Sequence, residues 1–77
     1  MPPVRAPVDE PGIVAIEWPK SEIAPEYLRP EAHAVLITAA QNEARKLGLI
    51  VGRGSCIVRS VGEHGERLRF VWGTAET

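Results

Sequence analysis

The chain has 77 residues, a formal net charge of −1, 44% hydrophobic residues and one cysteine. That length allows a single domain, one thiol closes no internal disulfide, and near-neutral charge argues against a whole-surface polyelectrolyte binder. No apolar run approaches the roughly 18 residues of a membrane span, and the start, Met1-Pro2-Pro3-Val4-Arg5, lacks the apolar block of a signal peptide.

A reducing, cytoplasmic setting is the expectation that follows. Below about 70–80 residues one core rarely supplies more than ~3–5 kcal/mol of net stability. A partner that covers part of the surface would add to it, and a second copy of the chain is the simplest such partner.

Residues 1–11 hold four of the seven prolines, Pro2, Pro3, Pro7 and Pro11. Proline lacks the backbone N–H and pushes its predecessor toward extended geometry, so this segment reads as an extended arm, mobile when free. Gly12 to Trp18 is the first strand. Val14, Ile16 and Trp18 point one way, and Ile13, Ala15 and Glu17 the other, a pattern for a strand covered on one side and partly shielded on the second. Residues 19–29 form a long connection with a helical turn after Pro25, and Ile23, Tyr27 and Leu28 are placed to wrap the core.

Pro30 to Leu47 is the predicted helix. Pro30 suits its first position, Glu31 and the pair Arg45 and Lys46 suit its two dipole ends, and Gly48 suits a left-handed stop. At 100° per residue Leu36, Leu47, Ala40, His33, Ala44 and Ile37 share one apolar arc. Ala32, Val35 and Ala39 make a shallower second flank, and Glu43 projects between the two.

Leu49-Ile50-Val51 reads as a short strand or an extended lead-in. A hairpin follows from Ser55 to Gly73. With Glu63-His64-Gly65 as a three-residue loop, Gly65 takes the left-handed place. Val61 then opposes Arg67, Ser60 opposes Leu68, Val58 opposes Phe70, and Cys56 opposes Trp72. One face carries Cys56, Val58, Leu68, Phe70 and Trp72; the other carries Ile57, Arg59, Val61, Arg67, Arg69 and Val71. A slip of one residue would mix the two sets. Residues 74–77 are a frayed tail.

The predicted fold is α+β: a β-α-β-β domain over residues 12–73, with one helix packed on a three- or four-stranded, mainly antiparallel sheet, preceded by the Pro-rich arm.

Catalytic chemistry finds little support. Cys56 lies on the core face of its strand, where a free cysteine behaves as a small buried hydrophobe. His33 and His64 are far apart and lack partners at zinc-ligand spacing, so no metal and no cofactor is expected. His33 reads as a packed residue at the core edge, and His64 as a solvated turn residue. Glu43 has no second carboxylate with which to share acid–base work; it reads as a carboxylate that reaches solvent, pairs with an arginine, or meets a partner's arginine. Gly52-Arg53-Gly54 leads into a strand, which a phosphate-binding glycine loop does not.

The arginines are the suggestive feature. Arg59, Arg67 and Arg69 share a face with Ile57, Val61 and Val71, and arginine beside exposed aliphatics suits a protein interface. The expectation is a non-enzymatic protein-interaction module that self-associates as a homodimer, acting as an adaptor, inhibitor or assembly factor. Its partner-binding residues are that sheet face or the flank of Ala32, Val35 and Ala39 with Glu43. The alternative is a small nucleic-acid binder using Arg53, Arg59, Arg67 and Arg69. Against that alternative, no aromatic stands among the arginines to stack on a base.

Overall fold

A computed structural model describes residues 2–52 and 54–74. Strands β1 (Val4–Ala6), β2 (Ile13–Pro19), β3 (Ile57–Val61) and β4 (Arg67–Gly73) form one antiparallel sheet in the order β1-β2-β4-β3. Helix α1 (His33–Lys46) connects β2 to β3 and packs on one face. From β2 onward the order strand, helix, strand, strand is as the sequence predicts, β1 being an additional strand, and β4 is inserted between the two strands that the helix joins. That arrangement is a split β-α-β unit.

Side chains alternate across a strand, so the pairing fixes the core. Val14, Ile16 and Trp18 of β2 lie opposite Trp72, Phe70 and Leu68 of β4, and Val58 of β3 opposite Phe70. This face packs against Leu36, Ala40 and Ala44 of α1, with Ile23 and Leu49 closing the ends. Phe70 is fully buried, its ring stacked on Trp72 at 6.1 Å and tilted against Trp18 at 6.3 Å between centroids.

The helix buries a narrower stripe than its sequence suggests. Leu36, Ala40 and Ala44 recur every four residues and are buried, Ile37 is half-buried, and His33 and Leu47 are exposed. Two alanines on the contact stripe let the helix sit close, which leaves its flanks outside. Pro30–Ala32 form a 3₁₀ turn, so the α-helix starts only at His33, and that residue is a solvent-facing end rather than a packed edge. The helix stops as predicted. Gly48 has φ +81°, its N–H donates to Arg45 O at 2.9 Å, and the Leu49 N–H donates to Ala44 O at 3.1 Å, the two bonds of a Schellman cap.

In the connection that precedes it, Lys20–Glu22 and Pro25–Leu28 are 3₁₀ turns. Ile23 wraps the core, whereas Tyr27 and Leu28 are exposed.

The fourth strand comes from the N-terminal arm. Val4, Arg5 and Ala6 pair with Glu17, Ile16 and Ala15, while Leu49–Val51 form no strand. Gly52 instead donates its N–H to Gly73 O at 2.8 Å. At the same end of the sheet Thr74 donates to Gly12 O at 2.9 Å; residues 75–77 of the expected tail lie outside the described residues.

The β3–β4 hairpin has the predicted register throughout, from Ile57 opposite Val71 to Val61 opposite Arg67. Gly65 (φ +63°) supplies the left-handed step, and its N–H donates to Gly62 O at 3.2 Å. Gly62 is also left-handed, at φ +99°. The Glu66 carboxylate accepts the His64 N–H at 3.0 Å, and bonds to its own amide and to that of His64 hold its carboxyl below the usual glutamate range. The charged form is the bonded one, so its contribution is present above pH 4.5 and is lost as pH falls through the lowered value.

A Cβ on Gly62 would run into that carboxylate. Gly62→Ala therefore combines a left-handed alanine with loss of the turn's carboxylate bond. The left-handed conformation alone costs a residue with a Cβ about 1–2 kcal/mol. Thermal denaturation should show a drop in Tm of several degrees; an unchanged Tm would refute this account of the turn.

Candidate interaction surface

The face of the sheet turned away from α1 carries Ile13, Ala15 and Glu17 of β2, Arg67, Arg69 and Val71 of β4, and Ile57, Arg59 and Val61 of β3. All six residues predicted for the sheet surface, Ile57, Arg59, Val61, Arg67, Arg69 and Val71, thus share one side, and their three guanidinium groups gather away from the tryptophans. Arg53, the fourth arginine of the nucleic-acid alternative, lies outside the described residues.

The three arginines have different surroundings. Arg67 Nε donates to Glu17 Oε1 at 2.8 Å, and its Nη1 lies 3.7 Å from Glu66 Oε1, so its charge is met. Arg69 Nη2 donates to the Pro7 carbonyl at 3.0 Å, a bond to a neutral group. Arg59 is exposed and has no side-chain partner among the described residues. Arg59 and Arg69 also stand directly opposite each other across β3 and β4. Such neighbours have Cβ atoms about 4.5–5.5 Å apart, and like charges there are destabilising.

The arm between β1 and β2 crosses this face. Ala6 and Ala15 are buried at 3% and 1% exposure although their side of the sheet carries no helix. Pro7 is held by Arg69, and Val8 and Glu10 form one wall of a groove of about 300 Å³. Ile57, Val61 and Val71 supply its apolar lining and Arg59 and Arg69 its charge; Glu10 forms an ion pair with neither. The arm thus shields the β1–β2 half of the face and leaves the β4–β3 half open, with Ile57 52% exposed.

The second predicted surface is on a different part of the molecule. Val35 is exposed, Ala32 and Ala39 are half-buried, and Val35 and Ala39 join Ala34, Thr38 and Asn42 around a shallow depression. Glu43 pairs with Lys46 at 3.4 Å on its own helix and with no arginine among the described residues. The helix flank and the arginine face therefore do not merge into one site.

The remaining candidates are scattered. Cys56 is half-buried against the core, and desolvation pushes its thiol pKa up, the opposite of what a nucleophile needs. His64 sits exposed in the hairpin turn, and His33 lines a separate groove beside Lys20, Leu28 and Val58. Among the described residues no three of His, Cys, Asp and Glu gather as metal ligands, and no helix is long and apolar enough to cross a membrane.

Comparison with protein-family models, with curated proteins and with solved structures found no match. Function is read from this face alone.

Sequence reasoning missed Glu17, Pro7, Val8 and Glu10 as parts of the surface. Glu17 left a signal: it is the one charged residue of β2 and has the parity of Ile13 and Ala15, the side turned toward the arginines. The arm residues left none, because their position depends on a fold-back that no local pattern encodes.

Proposed function

We propose that this chain is a non-catalytic protein-interaction module whose outer sheet face docks an acidic protein partner. The observation that carries the reading is the Arg59–Arg69 pair. Two guanidiniums face each other on an aliphatic floor, and neither meets a carboxylate among the described residues. A partner carboxylate placed between them would turn a repulsive neighbour contact into charge-assisted hydrogen bonds, while Ile57, Val61 and Val71 supply apolar contact area.

The same pair bears on self-association. A symmetric contact centred on this face would bring together four guanidiniums that meet no described carboxylate, two from each copy, so a second copy is the poorer occupant here. The uncharged helix flank of Val35 and Ala39 remains available to it. Light scattering at micromolar concentration tests that route: a dimer that Val35→Asp dissolves supports it, and a strict monomer removes it.

The nucleic-acid alternative can offer two arginines on this face that meet no described carboxylate. Its affinity for duplex DNA would fall with a log–log salt slope near −2, at about −0.9 per phosphate neutralised, and aliphatic substitutions would not affect it. Acidic-protein docking responds to both kinds of change. Affinity capture with wild-type, Arg59→Ala and Ile57→Ser baits, followed by binding of the purified partner, separates the two. A protein partner lost from both variants supports the proposal. One retained equally by all three baits, or DNA binding indifferent to the uncharged Ile57→Ser change, refutes it.

A further inference from the structure

The two edges of the sheet are built differently. β1 is three residues long and bracketed by Pro3 and Pro7, the kind of short, proline-flanked edge that resists further pairing. β3 is five residues long, contains neither proline nor lysine, and no described residue pairs with its outer side. Arg59 is its one charge.

A groove flanks this edge on each side of the sheet. The outer groove is lined by Ile57, Arg59 and Val61. A second groove, of about 260 Å³ on the helix side, is lined by Val58 and Ser60 with Leu28, His33 and Lys20 around them. The five residues of β3 therefore alternate between two open grooves, and Lys20 Nζ already donates to Ser60 Oγ at 3.0 Å on the inner side.

We infer that β3 is a strand-addition edge that takes an extended segment of an acidic partner protein, with an Asp or Glu opposite Arg59 and an aliphatic residue two positions away on either side. This rests on the outer-face docking proposed above and names its chemistry. Main-chain bonds along β3 give affinity, and alternate side chains entering two grooves give specificity. The residues opposite Ile57 and Val61 share the outer side with the one opposite Arg59, which sets the spacing aliphatic-x-acid-x-aliphatic. The chain cannot supply that segment itself: no Asp or Glu in its sequence has Val, Ile or Leu at both i−2 and i+2. The acid requirement therefore points to a different protein rather than to a second copy.

The probe is a blocked heptapeptide, Thr-Val-Thr-Glu-Thr-Val-Thr, which reads the same in both directions and so fits a parallel or an antiparallel addition. Titrated into the ¹⁵N-labelled chain, it should shift amides on both sides of the edge, Val58 and Ser60 as well as Arg59 and Val71, and should slow hydrogen exchange along β3. Replacing its Glu by Lys should weaken binding at least tenfold. The Lys peptide should regain that loss on the Arg59→Glu protein. N-methylation of the Glu together with the two residues that flank it, which blocks donors on both edges of the peptide, should abolish binding in either orientation.

Shifts confined to the outer face, or binding indifferent to N-methylation, would overturn strand addition and leave outer-face docking standing. No shift with the peptide overturns the edge assignment; joined to a captured partner indifferent to Arg59→Ala, it overturns both. Protection of β3 that appears on self-association without peptide, or the same shifts produced by a DNA duplex and not by the peptide, would overturn the acidic-protein assignment.

Discussion

Phe70→Ala is expected to leave the chain largely unfolded at room temperature. Phe70 has no exposed surface and packs between Trp18 and Trp72, tilted against the first and stacked on the second, so truncation opens a cavity in the middle of the sheet. Phe-to-Ala changes in cores cost about 3–5 kcal/mol, and a domain of this size rarely holds more than about that in total. Its neighbour supplies the control. Trp72 is equally buried, but its indole Nε1 has no hydrogen-bond partner among the described residues. Trp72→Phe removes an unmatched donor together with apolar area, and the two effects oppose each other. Circular dichroism and denaturant melts should therefore rank Phe70→Ala far below Trp72→Phe. A folded, cooperative Phe70→Ala protein would mean that β2, β4 and α1 hold together without the aromatic stack.

The hairpin and the arm show why one part of this fold could be read and another could not. Gly62 to Gly65 names the turn, and once the turn is placed, period-two alternation assigns every residue from Cys56 to Trp72 to a face. Local chemistry and burial agree there, so one strand pair follows from its own sequence. β1 has no such signal. Three residues between prolines carry no periodicity, and their pairing with Glu17, Ile16 and Ala15 is settled by tertiary contact: Pro3 and Ala6 become buried and Arg69 captures Pro7. The surface divides in the same way. That the arginines share a side was legible from alternation. That Arg67 is satisfied and Arg59 is not depends on Glu17, fifty positions away in sequence, and on an arm whose path is not local. The helix failed at its margins for a related reason. A helical wheel ranks angles, whereas burial also depends on how close the helix sits, and Ala40 and Ala44 bring it near enough that His33 and Leu47 fall outside.

Arg59→Glu is expected to make the protein more stable and to disable it. In the native sheet Arg59 faces Arg69 with no anion between them, and replacing a like-charge cross-strand pair by an opposite-charge one is worth roughly 0.2–1 kcal/mol. Tm should rise by a few degrees at low salt, and the gain should shrink as salt screens the pair. Partner binding should move the other way. A glutamate at that position meets the partner's carboxylate with like charge, a juxtaposition that costs several kcal/mol, so affinity should fall thirtyfold or more. Arg67→Ala supplies the contrast. Its guanidinium is already bonded to Glu17, so its loss should cost a fraction of a kcal/mol in stability and much less in binding. A stabilised variant that no longer binds is what a residue kept for a partner looks like, since nothing in the isolated fold gains from two arginines side by side. If Arg59→Glu instead destabilises the sheet, or leaves partner affinity unchanged, the paired guanidiniums are a solvated strand face and the docking surface lies elsewhere.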